Sequence, residues 1–351
     1  MNPDYDLLAK LSETPGIPGR EDAVRDLIKD TLGELGAEAR TDALGNLIVN
    51  VAGPEGAPLV MVSAHMDEIG FIVTHVDKDG FIHIHNLGGF DPRNLFARLV
   101  TVHTRGGEAL TGVLNPGGKP IHVSTPEERK KIPEIHDFVV DLGLGGEVTK
   151  EKVSVGDMVT LNQHFQDLGD VVVGKALDDR TGCWVLIEAL RRLDKPAVNV
   201  AAVFSVQEEV GLRGALTSAF ATRPDVGIAL DTTLAIDTPG TPDHLAITRL
   251  GEGVAIKVSD SSAISNRWLV DAMARVADDG GIPYQFEVLP RGGTDAGSIQ
   301  RSREGVASVT LSNPSRYVHT VTEMNSKSDL EAAVRLLVGF LSTDGAAVPP
   351  A

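Results

Sequence analysis

Val198-Asn199-Val200-Ala201-Ala202-Val203-Phe204-Ser205-Val206-Gln207-Glu208-Glu209 is an apolar run that stops at two adjacent glutamates. Its length and β-branched content predict a buried strand. Gly214 to Phe220 follows as a predicted helix, and Val226 to Leu230 as a second strand, closed by Asp231. Strand, helix and strand in that order make one unit of an α/β sheet. In such sheets functional groups gather beyond the carboxyl ends of the strands.

The same pattern extends in both directions. Upstream, Leu59 to Ala64 is a short apolar run ending in His65-Met66-Asp67-Glu68, and Val171-Val172-Val173 leads to Asp178-Asp179-Arg180 and a predicted helix from Thr181 to Leu193. Leu7, Leu8 and Leu11 share one helical face, closed by Thr14-Pro15-Gly16; Glu21 to Leu35 is a second predicted helix, and Leu47 to Ala52 a strand. Downstream come a helix from Ser265 to Asp279, a strand from Val306 to Leu311, His319, and a helix from Leu330 to Leu341. Residues 1–68 and 166–351 therefore predict an α/β fold with a mostly parallel mixed sheet sandwiched by helices.

Residues 69–165 have a different texture. Short β-rich runs (Phe71 to Val76, Phe81 to His85, Leu99 to Thr104, Thr111 to Leu114, Met158 to Leu161) alternate with Gly and Pro, and Asp79-Gly80 is a hairpin signal. No long amphipathic helix is visible. This stretch is expected to be an inserted β-barrel-like domain, with Pro126 to Asp137 as an exposed, charged connection.

Composition narrows the function. The chain has 351 residues, enough for a large core, with 32 Lys+Arg against 49 Asp+Glu and a net charge of −17. Such a surface repels phosphate backbones and anionic lipids, so neither nucleic acid nor membrane is expected as a partner. No apolar stretch reaches the roughly 20 residues a membrane-spanning helix needs. The single cysteine, Cys183, lies in an apolar run and is expected to be a small core residue; with no disulfide possible within the chain, the cytoplasm is the expected location.

The strand-end clusters carry chemistry when taken together. His65 can offer a neutral ring nitrogen to a metal while Asp67 accepts the other ring N–H. Either Asp178 or Asp179 could cap the following helix, but two adjacent acids after an apolar strand are costly unless paired or metal-bound. One carboxylate can bridge two cations about 3.5–4 Å apart. Of Glu208 and Glu209, one can be a ligand and its neighbour a base beside a metal-activated water. Asp231 and His319, the latter followed four residues later by Glu323, complete the set. Two histidines and three acids with no thiolate suit zinc, cobalt or manganese better than calcium.

These motifs resemble the TET/glutamyl-aminopeptidase family of dinuclear metallo-aminopeptidases. The residues that carry the resemblance are His65-Met66-Asp67-Glu68-Ile69-Gly70, Ala176-Leu177-Asp178-Asp179-Arg180, Gln207-Glu208-Glu209-Val210-Gly211, Asp231, Gly292-Gly293-Thr294-Asp295-Ala296 and His319-Thr320. They run in order over nearly the whole chain. The resemblance implies a zinc-exopeptidase type of sheet and two divalent ions, zinc or cobalt. His65 and Asp231 would hold one ion, Glu209 and His319 the other, and Asp178 would bridge them, joined to Asp179 by a cis peptide. Glu208 would be the general base and Asp67 the partner of His65. It implies short peptides with a free N-terminus as substrates, and an insert that assembles dimers into a hollow dodecamer.

Rival readings are a deacylase or carboxypeptidase with the same metal arrangement, or a metal-binding assembly protein without turnover. The sequence does not choose the preferred first residue of a substrate. Arg291 and Arg316 adjoin site segments, where they could favour an acidic side chain or serve as ordinary ion-pair partners. His122 could reach a neighbouring subunit's site or lie idle.

Overall fold

The computed structural model describes residues 3–349 except 35 and 37. Leu35, the expected end of the second helix, lies outside the described residues, and that helix is seen as Asp22–Glu34. The centre of the molecule is an eleven-stranded mixed sheet. Its middle four strands, Asn199–Ser205, Leu59–His65, Val226–Leu234 and Ala307–Arg316, are parallel neighbours in that order. Antiparallel strands extend both flanks, so the parallel part is the centre, where the predicted site residues lie.

Alternation along the central strands explains the sandwich. Val60, Val62 and Ala64 face one core with Val200, Ala202 and Phe204, covered by Tyr5–Glu13, Leu177–Arg192, Arg267–Gly280 and Lys327–Ser342. Met61 and Val203 face the other way, against Ala215 and Ala219 of Arg213–Thr222 and Ile299 of Asp295–Gln300. Full burial of one such aliphatic side chain contributes about 1.5–3 kcal/mol. Both layers are therefore fastened by many independent contacts.

Residues 70–161 supply a closed antiparallel barrel of six strands: Gly70–Val76, Ile82–Leu87, Phe138–Asp141, Ala109–Pro116, Arg98–His103 and Met158–Leu161. It has its own core, with Phe71, Val100, Phe138 and Val159 fully buried. The hairpin at Asp79-Gly80 forms as expected. The Asp77 carboxylate accepts the N–H groups of Asp79, Gly80 and Phe81 at 2.8–3.0 Å, and Gly80 takes φ +100.

Several elements had no clear sequence signal. They are the strands Phe138–Asp141, Val254–Ser259, Tyr284–Val288 and Glu323–Ser326, and the short helices Gly146–Lys152 and Asp295–Gln300. Among the described residues no helix is long and apolar enough to cross a membrane.

Candidate metal centre

Parallel register brings the site together. Ala229 pairs with Ser63, so Asp231, two residues on, comes level with His65; Ser205 is level with His65 on the other side. The chain then turns at Gln207 (φ +56) into Glu208 and Glu209. Ala176, Tyr317 and His319 are also left-handed beside site residues. Each such non-glycine costs about 1–3 kcal/mol. Four of them around one cleft mark a backbone held in place by its surroundings.

Asp178 stands between the two histidines. Its Oδ1 is 3.4 Å from His65 Nε2 and its Oδ2 is 3.4 Å from His319 Nε2. Glu209 Oε1 lies 3.1 Å from His319 Nε2, while Glu208 and Asp231 approach His65 Nε2 to 3.9 and 4.0 Å. All seven predicted site residues are thus gathered in one place. The Asp178–Asp179 peptide is cis, as the resemblance implied.

The two aspartates differ in what they touch. Asp179 is fully buried and accepts the N–H of Gly182 at 3.0 Å and that of His65 at 3.2 Å. It lies close enough to Asp178 and Asp231 to share an ion with them. Yet both its oxygens are already taken by backbone donors, so capping is its observed work. Asp67 meets His65 through its backbone: His65 Nδ1 is 3.0 Å from the Asp67 carbonyl and 3.6 Å from the carboxylate. The carboxylate instead accepts the N–H groups of Glu208 and Glu209 at 3.0 and 3.1 Å, fixing the turn that carries both glutamates.

Three supports hold the site, of which the sequence suggested only Glu323, as local support for His319. Glu323 accepts the Asp178 N–H at 3.0 Å with one oxygen and the His319 N–H at 2.8 Å with the other. Its place four residues after His319 was the available signal. Arg180, fully buried, donates to the carbonyls of Met66, Leu11, Thr14 and Gly16, tying the end of the first helix to the turn after His65. From the barrel, Gly88 (φ +87) comes so close that a Cβ there would sit 3.1 Å from Glu209 Oε2. A glycine pair, Gly88-Gly89, was its only trace in the sequence.

The donor set fits divalent metal ions. Asp178 Oδ1, Glu209 Oε1 and Asp231 Oδ2 are buried and lack a conventional hydrogen bond among the described residues. Ligand atoms of His65, Asp178 and Glu209 lie within 4.8 Å of one another. Unshared carboxylate oxygens packed this densely are costly without a cation. The protonation balance says the same. Burial pushes Glu208 and Asp231 well above the usual carboxylate range, with neighbouring acids adding to it. Burial works against charge on His319, yet Glu209 and Asp178 hold its ring up to about 12. His65 is likewise held well above its ordinary value by Asp178 and Asp67 against burial.

Both rings hold their protons more tightly than a free imidazole in the metal-free protein, and a ring nitrogen must lose its proton to ligate. Loading is expected to release at least the protons of His65 and His319 at pH 7–8, and affinity should weaken as pH falls. Calorimetric titration with zinc in two buffers of different ionisation enthalpy measures this; equal heats in both would contradict it.

The sequence matches the model of the M42 glutamyl aminopeptidase family over residues 45–336. The chain belongs to that family. As an M42 member it is a hydrolase of the aminopeptidase class. It is 35% identical to the lysyl aminopeptidase of Pyrococcus furiosus over 96% of each chain. A TET aminopeptidase from Thaumarchaeota archaeon SCGC AB-539-E09 superposes with TM-score 0.92 at 35% identity, over 96% of this chain and 95% of that one. The TET1 peptidase of Pyrococcus horikoshii, which can assemble into a tetrahedron or a large octahedral shell, superposes with TM-score 0.85 at 34% identity over 96% and 98%. For this M42 chain the sheet-and-barrel architecture and the aminopeptidase class follow together.

Proposed function

We propose that the chain releases N-terminal residues from short peptides with the help of two divalent ions, zinc or cobalt, and with Glu208 as general base. His65 and Asp231 would hold one ion, Glu209 and His319 the other, and Asp178 would reach both through its two oxygens. The observation that carries this reading is the meeting of three unpartnered carboxylate oxygens with the Nε2 atoms of two histidines. Bound there, the ions supply Lewis acidity towards a peptide carbonyl and make a nearby water more acidic.

The chain's own residues do the rest. Glu208 takes a proton from the attacking water and hands it to the departing amine nitrogen. In the metal-free protein burial, more than its neighbours, raises the affinity of Glu208 for a proton. Asp67 keeps the Glu208 carboxylate on station through the backbone, and Glu323 does so for Asp178 and His319. A cleft of about 490 Å³ opens onto these groups, wide enough for a residue or two.

Residues 1–68 and 166–351 would form the catalytic unit, and 69–165 an inserted unit for self-association, with dimers building a dodecamer. Supporting this are the half-exposed apolar cross-strand neighbours Leu99 and Val113 on the outside of the barrel, and the shell formed by the similar TET1 peptidase. Light scattering that gives the mass of one subunit would overturn the assembly reading. A cytoplasmic location belongs to the same proposal, in keeping with a lone buried cysteine.

The deciding experiment is hydrolysis of aminoacyl chromogenic amides by metal-stripped protein, before and after zinc or cobalt, with N-acetylated controls. Metal-restored cleavage of free-amine substrates alone is expected. Preferred cleavage of the acetylated compounds would make the protein a deacylase instead, and two bound ions without any turnover would leave a metal-binding assembly protein.

A further inference from the structure

The two arginines that flank the site in sequence separate in space. Arg316 is gripped by Asp237, with Nε and Nη2 donating at 2.6 and 2.8 Å, and its charge is already matched. Arg291 lines the cleft, but on an exposed loop at its rim. The deep end is different in character. Thr232, Thr233 and Leu289 form it, exposed by 7%, 2% and 8%, and Leu212, Leu234 and Val318 stand around them.

Behind this floor charged groups lie against one another, with Lys257 Nζ and Glu287 Oε2 left without a conventional hydrogen bond among the described residues. Glu287 accepts the Thr233 hydroxyl and lies 3.0 Å from Lys257 Nζ, which is also 3.7 Å from Asp260. Lys257 and Glu287 are at most 1% exposed. Apart from the candidate ligands and Glu208, no lining residue other than Arg291 among those described carries a full charge. The deep end therefore offers apolar surface and one buried hydroxyl without a partner, that of Thr232.

An enzyme that needs a free N-terminus accepts one residue ahead of the broken bond. The side chain of that residue goes to the closed end, and the remainder of the peptide leaves through the open side. We propose that this cleft selects an uncharged aliphatic first residue of the leucine or methionine class over acidic and basic ones. The inference rests on the aminopeptidase reading and adds its substrate class.

Magnitudes decide between floor and rim. Burying a leucine-sized side chain is worth about ten- to hundredfold in binding. An exposed ion pair with Arg291 is worth about fivefold at most. An ionised side chain pushed to the floor would lose its water and, among the residues lining that end, find the Thr232 hydroxyl in exchange.

The test is a set of kcat/KM values on metal-loaded protein for leucyl, methionyl, alanyl, glutamyl and lysyl amides, with N-acetyl-leucyl amide as control. Leucyl and methionyl substrates are expected to exceed glutamyl and lysyl ones by about tenfold or more. Leu289→Ala should reduce the leucyl-to-alanyl ratio several-fold. Glutamyl or lysyl amide cleaved as fast as leucyl amide would overturn the inference and leave the aminopeptidase reading intact. Failure on every free-amine substrate would remove that reading, and this inference with it.

Discussion

Replacing Glu208 by glutamine is expected to lower kcat by about 10²–10⁴-fold, the usual contribution of a positioned base, while the protein stays folded and loads the same amount of metal. Glutamine has nearly the same shape and keeps the backbone anchor, because the Asp67 carboxylate holds the Glu208 N–H and not its side chain. What it cannot do is accept a proton from water. The acids around it have competing work: Glu209 lies against His319, Asp231 beside His65, and Asp295 accepts from Ser63 and Ser205. Steady-state kinetics and metal content, measured on the same preparation, check this. Activity within a few-fold of the original would remove Glu208 from the role.

Glu323→Leu is expected to weaken metal binding about 10–100-fold, as loss of a supporting hydrogen-bond partner does at metal sites. One carboxylate here serves two candidate ligands at once, through the backbone N–H groups of Asp178 and His319. Leucine would leave both donors without an acceptor, at about 1–3 kcal/mol each, and the melting midpoint should drop as well. The acid is held up to about 8, first by its burial and then by the Asp178 charge, so in the metal-free protein it titrates near neutrality. Glu323→Gln, which keeps one carbonyl acceptor, should fall between. Competition with a chelator of known affinity gives the dissociation constants; an unchanged value in Glu323→Leu would show that the two backbones hold without it.

What could be read from the chain was whatever depends on neighbours in sequence. Leu59 to Ala64, Val198 to Val206 and Val226 to Leu230 are apolar runs that only a buried strand explains, and His65, Glu208-Glu209 and Asp231 follow directly after them. Strands without that contrast were missed for local reasons. Glu323–Ser326 reads Glu-Met-Asn-Ser because it packs beside the polar site, and Tyr284–Val288 turns Phe286 and Val288 to solvent with Glu287 inside. Asp295–Gln300 has six residues, one of them glycine, too few for a helical period to show.

Roles depended on contacts far apart in the chain. Asp67 meets Glu208 and Glu209 across 141 and 142 positions, and Glu323 meets Asp178 across 145. The sequence placed acids at strand ends. It could not say that Asp179 would cap while Asp178 faced two histidines, that the Asp67 carboxylate would serve the glutamates, or that Asp237 would occupy Arg316. Strand order and register set those meetings. Both are decided when the apolar faces of the whole sheet find their helices, because slipping one strand by a residue would turn its buried side chains outward.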